Sequence, residues 1–154
     1  MMLSDFIAED LTQIYYFAYG MLTDPETIGD RAEFIGKARL DNFSLELLLH
    51  ANIVPSRTHM YGALWLINQD MLDELDEVEG YPTYYRRISR SVVANGSQYN
   101  AQIYIMTNDS RRQYYSSSPS QSYINQIAQG YRHAGIPVSQ LNTAIVRCNT
   151  KQAR

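Results

Sequence analysis

The dipeptide Asn95-Gly96 constrains this chain more than any other short stretch of it. It separates two runs that read as strands, Arg86–Ala94 and Gln98–Met106. A two-residue Asn-Gly link suits a type I′ turn, whose two central residues both need positive φ, and such a turn joins antiparallel neighbours. The two runs are therefore predicted to form a hairpin, which excludes an all-parallel sheet.

The remaining elements follow in mixed order. Ile14-Tyr15-Tyr16-Phe17-Ala18-Tyr19 is a short aromatic run ending at Gly20 and reads as a buried strand. After Gly20-Met21-Leu22, Asp24 is a good N-cap, Pro25 suits the first helical position and Glu26 favours the positive helix end. Residues 34–49 read as one or two strands, Pro55-Ser56-Arg57 as a loop, and Met60–Ile67 as a central strand. A helix is predicted from Asn68 or Asp70 to Glu79, stopped by Gly80. Beyond a Ser-rich loop at 116–118, Ser118-Pro119 opens a helix with Tyr123, Ile124, Ile127, Ala128 and Tyr131 on one face. Gly135 and Pro137 end it, and Ser139 caps a last short helix with Leu141 and Ile145 inward. Residues 4–13 read as a short capped helix or a loose leader. Strands and helices interleaved with a strong hairpin fit an α+β fold. The expected organisation is a leader over 1–13, a single domain over 14–150 and a tail over 151–154.

Composition mainly excludes functions. At 154 residues, 45% apolar and 19% charged, the chain is the size of one domain and can bury a core. Its 13 basic and 16 acidic residues give a net charge of −3 without a basic block, so no nucleic-acid partner is expected. Eleven of the basic residues are Arg, and they read as solvated surface. The lone Cys148 excludes an internal disulfide and a cysteine-based zinc site. His50, His59 and His133 form no ligand motif and read as surface or structural residues, so no metal is expected. No apolar run approaches the ~18 residues of a membrane span, and the acidic N-terminus does not resemble a signal peptide. The expected location is the cytoplasm. One count stands out, 13 Tyr against 4 Phe and 1 Trp. Buried tyrosines need partners for their hydroxyls, so the excess suggests a polar pocket, a sticky surface or a core with hydrogen-bonded tips.

Two places are candidates for chemistry. At Tyr19-Gly20-Met21-Leu22 a strand passes through glycine into a helix start, where successive N–H groups make a nest for a carboxylate or phosphate. A plain strand-to-helix turn is the alternative. No P-loop and no GxGxxG accompanies it. The second candidate is Glu79. Stepping about 100° per residue along the 71–79 helix places Met71, Leu72, Leu75 and Val78 on one face. Asp73, Glu74, Asp76 and Glu77 form a solvated one. Glu79 falls on the buried side, in the last turn, where burial and the helix dipole both raise a carboxyl pKa toward the range useful for acid/base work. A frayed last turn, with Glu79 in water, is the alternative.

Taken together, Phe17-Ala18-Tyr19-Gly20-Met21-Leu22, Leu75-Asp76-Glu77-Val78-Glu79-Gly80 and Tyr85-Arg86 resemble the gamma-glutamylcyclotransferase-like superfamily. That family pairs an early Tyr-Gly-Ser-Asn or Tyr-Gly-Thr-Leu with Leu-Asp-x-x-Glu-Gly and a following Tyr-Arg or Tyr-x-Arg. Ala51–Ser56, Tyr61–Trp65 and the 119–137 segment are similar to its loop, central strand and C-terminal helix. The resemblance implies a small, closed or nearly closed β-barrel, mixed and mostly antiparallel, surrounded by a few helices. It implies that Glu79 is the acid/base and that Tyr19–Leu22 hold the substrate's α-carboxylate through backbone N–H groups. Tyr85, and after it Tyr19, is the expected cleft hydroxyl.

The implied reaction cyclises a gamma-glutamyl amino acid or gamma-glutamylamine to 5-oxoproline without metal or cofactor, in a monomer or homodimer. Met21 departs from the family's usual Ser or Thr. The pattern with Leu22 is similar to the gamma-glutamylamine branch, whereas the C-terminal helix is similar to the gamma-glutamyl-amino-acid branch. A binding module that keeps the fold and pocket is the alternative function, and acyl transfer to an external amine is a third. Tyr15, Tyr16, Tyr19, Tyr81, Tyr84 and Tyr85 are expected around one cleft.

Overall fold

In the computed structural model, which describes residues 13–28 and 31–152, the strands are β1 (Ile14–Ala18), β2 (Glu33–Leu47), β3 (Ala51–Ile67), β4 (Tyr85–Ala94) and β5 (Ser97–Met106). They close a barrel in the order β1-β3-β2-β4-β5. Every recorded pairing is antiparallel except that of β1 with β5, which is parallel. The fold is thus the expected α+β barrel. Asn95 and Gly96 have φ of 51° and 78°, the left-handed pair that a type I′ link requires. They set the β4–β5 register from Ala94↔Ser97 to Tyr85↔Met106. All but the last residue of the expected 1–13 leader lies outside the described residues.

β2 and β3, of 15 and 17 residues, form one long hairpin joined at Leu48-Leu49-His50. The expected loop at Pro55-Ser56-Arg57 is therefore part of β3. Proline is tolerated there because β1 pairs with β3 only over Ala63–Ile67, so this half of the strand has a recorded ladder partner on the β2 side alone. Opposite Pro55 the register shifts between Asp41 and Phe43, and Asn42 takes a left-handed φ of 67°, bending β2.

The helices are α1 (Pro25–Ile28), α2 (Gln69–Val78), α3 (Asn108–Tyr114), α4 (Gln121–Ala134) and α5 (Val138–Gln152), with a 3-10 turn at Met21–Thr23. Among the described residues no helix is long and apolar enough to cross a membrane. Asp24 and Pro25 act as expected, with the Asp24 side chain accepting the Glu26 N–H at 2.9 Å. α4 starts at Gln121 with Ser120 as its cap, slightly later than predicted, and ends at Gly135 in the left-handed region. α5 is longer than the short helix expected. It starts at Val138 and runs through Lys151 and Gln152, where a tail was predicted. Its buried side is Leu141, Ala144 and Cys148, with Ile145 only half-buried. α3, just before the Ser-rich loop, has no counterpart among the predicted elements. Its seven residues carry no apolar stripe; Thr107 caps it and Arg111 binds Glu46.

α2 matters most for the site. Asn68 caps it by accepting the Met71 N–H, and Met71, Leu72 and Leu75 are buried. At its end Tyr81 N–H bonds to Asp76 O at 2.9 Å and Gly80 N–H to Glu77 O at 3.2 Å, with Gly80 at φ +66°. That is a full Schellman ending, which a Cβ at position 80 would strain. The last turn is therefore held, and Glu79 does not fray.

Two expectations for this helix fail. Val78 is 76% exposed, because the helix ends at the mouth of a cavity and none of the described residues covers that face. Asp76 is not a solvated acid: it takes Arg87 Nε at 2.9 Å and the Tyr104 hydroxyl at 2.6 Å. Arg87 and Arg111 are correspondingly structural ion-pair partners rather than free surface.

Candidate active site

One cavity of about 390 Å³ lies against the end of β1, the start of β3 and the end of α2. That is a size suited to a small molecule. All six residues singled out in the sequence border it: Tyr19, Gly20, Met21, Leu22, Glu79 and Tyr85. Phe17, Ala51 and Val78 add apolar wall, and Tyr16, His50, Tyr84, Tyr104 and Tyr123 add polar tips.

Glu79 follows the last residue of α2 and its backbone N–H closes onto Leu75 O at 2.8 Å. Burial against the aromatic wall pushes its carboxyl up to about 7. Ionised and protonated forms are then both populated near neutral pH, a balance suited to acid/base chemistry. Burial also raises the phenols of Tyr16, Tyr19 and Tyr85, and pushes Tyr84 and Tyr123 up to about 12. They remain neutral donors at every physiological pH. His50 is pushed down by burial and stands as a neutral imidazole.

The hydroxyl partners distinguish these tyrosines. Tyr85 donates to Ala51 O and Tyr19 to Tyr104 O, each at 2.6 Å, so both expected cleft hydroxyls spend their protons on backbone. Tyr104 donates to Asp76, and Tyr84 shares a 2.7 Å hydrogen bond with His50 Nδ1. The Tyr123 oxygen accepts the Ala51 N–H at 3.0 Å, leaving its own proton without an acceptor among the described residues. Tyr16 has no hydrogen-bond partner among the described residues and its ring meets Tyr104 edge-on. The phenols with a proton to offer the cavity are thus Tyr16 and Tyr123, not Tyr85 and Tyr19.

Of the six tyrosines expected around a cleft, Tyr16, Tyr19, Tyr84 and Tyr85 border it, while Tyr104 and Tyr123 join from β5 and α4. Tyr15 packs on Tyr99, and Tyr81 lies over Arg87. No local signal marked Tyr104, Tyr123 or His50, which reach the cavity from residues far away in sequence.

On the opposite wall, β1 ends at Ala18 and the chain turns through Gly20 into the 3-10 turn at Met21–Thr23. Gly20 is closely flanked, since a Cβ there would sit 3.3 Å from Ala51 Cβ and 3.5 Å from the Tyr123 hydroxyl. Met21 is 37% exposed at the mouth. Among the described residues the lining offers one carboxylate and one imidazole, Glu79 and His50. Asp24, Glu26 and His133 group their ligand atoms within 4.8 Å behind the turn, outside the lining. There His133 Nδ1 already pairs with Asp24 at 2.9 Å.

Comparison with known proteins places this arrangement. Human gamma-glutamylcyclotransferase is 29% identical, over 87% of this chain and 78% of its own length. A putative gamma-glutamylcyclotransferase of Methanocaldococcus jannaschii is 28% identical over 58% of this chain and 82% of its own length. A solved gamma-glutamyl cyclotransferase structure superposes with a TM-score of 0.72 at 28% identity, covering 86% of each chain. YkqA from Bacillus subtilis shares the fold, with a TM-score of 0.71 at 20% identity over 94% of this chain and 57% of its own. The family pattern described as gamma-glutamyl cyclotransferase, AIG2-like matches residues 16–125. That stretch carries the barrel, the Tyr-Gly turn, the α2 carboxyl and most of the tyrosine wall, and by it the chain belongs to the gamma-glutamyl cyclotransferase, AIG2-like family.

Proposed function

We propose that this chain is an enzyme that cyclises a gamma-glutamyl amino acid or gamma-glutamylamine to 5-oxoproline, releasing the free amino acid or amine. The family supports gamma-glutamylcyclotransferase-like activity on a small molecule. The observation that carries the finer reading is a desolvated carboxyl, Glu79, raised to about 7 in one cavity with the Gly20–Leu22 turn.

In this reading the substrate's α-carboxylate rests on backbone N–H groups of Gly20 and Met21, with Tyr19 and Leu22 shaping the turn around it. Ionised Glu79 takes a proton from the α-ammonium group. The freed amine attacks the γ-carbonyl carbon of the same molecule, forming the C–N bond of a five-membered ring. Tyr16 and Tyr123 donate to the oxyanion that develops. The tetrahedral intermediate collapses: the bond to the departing nitrogen breaks as Glu79 returns the first proton to it, and the second proton of the ring nitrogen passes through the regenerated carboxylate to the released amine, which leaves as an ammonium. No water enters the balance. Because both reacting groups belong to one bound molecule, holding them in contact supplies much of the acceleration. Tyr85, tied to Ala51 O, shapes the wall behind Glu79 rather than donating.

The test is a panel of gamma-glutamyl amino acids, gamma-glutamylamines and glutathione, read by 5-oxoproline release. Turnover by the native protein should fall about 10²- to 10⁴-fold in Glu79→Gln, the range typical of a lost acid/base. Unchanged turnover in that variant would remove Glu79 from the chemistry. Saturable binding with no product from any substrate would favour a binding module, and a coupled product without 5-oxoproline would favour transfer to an external amine.

A further inference from the structure

The turn at Gly20–Leu22 is held from behind by side chains that do not border the cavity. The Tyr131 hydroxyl of α4 donates to Tyr19 O at 2.7 Å. Thr23 Oγ1 donates to Gly20 O at 3.0 Å, and the Trp65 indole of β3 donates to Leu22 O at 3.1 Å. Tyr131, Thr23 and Trp65 are all essentially buried. Thr23 fits because residue 130 of α4 is glycine: a Cβ there would fall on Thr23 Oγ1.

Peptide planarity converts these bonds into a direction. In a trans peptide the carbonyl of one residue and the N–H of the next point opposite ways. A carbonyl of Tyr19 drawn toward Tyr131 turns the Gly20 N–H away from α4. A carbonyl of Gly20 drawn toward Thr23 likewise turns the Met21 N–H the other way. Trp65 fixes the exit of the turn. Gly20, Met21 and Leu22 border the cavity, whereas none of the three donors does.

We infer that Tyr131 and Thr23 are positioning residues for carboxylate recognition, with Trp65 holding the exit of the turn: by taking the Tyr19 and Gly20 carbonyls, they aim the Gly20 and Met21 amides at the bound anion. This rests on the reading of the turn as the α-carboxylate site. It also accommodates Met21 at the mouth of the cavity. With the backbone aimed by other elements, position 21 contributes an N–H, which any residue but proline supplies.

The experiment compares two ligands that differ by the carboxylate alone, L-5-oxoproline and 2-pyrrolidinone. Affinities are measured by calorimetry on the native protein, on Tyr131→Phe and on the near-isosteric Thr23→Val. The native protein should prefer 5-oxoproline. In each variant that preference should shrink by about two- to tenfold, the worth of one net hydrogen bond, with 2-pyrrolidinone affinity unchanged. A merely structural role would move both ligands together. A preference that persists undiminished in folded variants overturns the clamp and leaves the carboxylate site standing. A native protein with no preference overturns the carboxylate site, and the clamp with it. Should Tyr131→Phe fail to fold, Thr23→Val carries the same comparison.

Discussion

The two walls of the cavity are built on different physics. The turn wall is backbone, held by neutral hydrogen bonds from β3, from α4 and from Thr23 within the turn. The carboxyl wall is one side chain at a helix end, held by the Schellman bonds of Gly80 and Tyr81 and by the Asp76–Arg87–Tyr104 group three residues before it. Nothing in the first wall titrates near neutrality. The second contains a carboxyl kept from water, and a carboxyl so placed opposes folding once it ionises. Under the proposed function this contrast divides the labour: one wall recognises charge with uncharged groups, and the other keeps a costly ionisation for chemistry.

The largest test of that contrast is thermodynamic. Below the ordinary carboxylate range Glu79 is protonated whether the chain is folded or not, and its burial costs no ionisation energy. Between about 4.5 and 7 the unfolded chain ionises while the folded one holds its proton, so native stability falls as pH rises. Above about 7 the cost is complete. Glu79→Gln should therefore be more stable than the native protein at pH 8, by on the order of 2–3 kcal/mol, and little different near pH 4.5. Urea melts at the two pH values measure this. Equal gains at both would show that ionisation is not the source.

A smaller effect is expected at the brace. Asp76→Asn leaves an amide oxygen for Tyr104 but removes the charge facing Arg87, in a partly buried pair. The loss should be about 1–2 kcal/mol in chemical denaturation. Its kinetic signature should also separate the walls. Displacing the helix end should lower kcat severalfold with KM nearly unchanged, whereas loosening the turn should act on carboxylate affinity. A KM increase in Asp76→Asn without loss of kcat would merge the two roles.

What was legible in the sequence was local. Asn95-Gly96, the Asn68 cap, Gly80 after Glu79, and Asp24-Pro25 each work through bonds within a few residues, and each appears in the fold where its chemistry predicts. Glu79 was legible by helix periodicity and Gly20 by its place between strand and helix. What was not legible depended on distant partners. Pro55 reads as a breaker until one knows that β1 stops short of it. The polar α3 offers no stripe to periodicity and is held by its Thr107 cap and by Glu46 of β2. Asp76 looks solvated until Arg87 and Tyr104 arrive from β4 and β5. The hydroxyl partners of the thirteen tyrosines depended on distant residues in the same way. Tyr85 borders the cavity as expected, but barrel closure gives its proton to Ala51 O and leaves those of Tyr16 and Tyr123 for the cavity.

The central claim is that Glu79 must be ionised to start the reaction and that its burial sets when this happens. The most direct measurement is kcat/KM for 5-oxoproline formation across pH, which reports the ionisation of the free enzyme. The profile should fall on the acid side with a midpoint near 7, the value at which burial places this carboxyl. A rate that stays flat down to pH 5 would mean an ordinary, solvated carboxylate or another base, and would contradict the account.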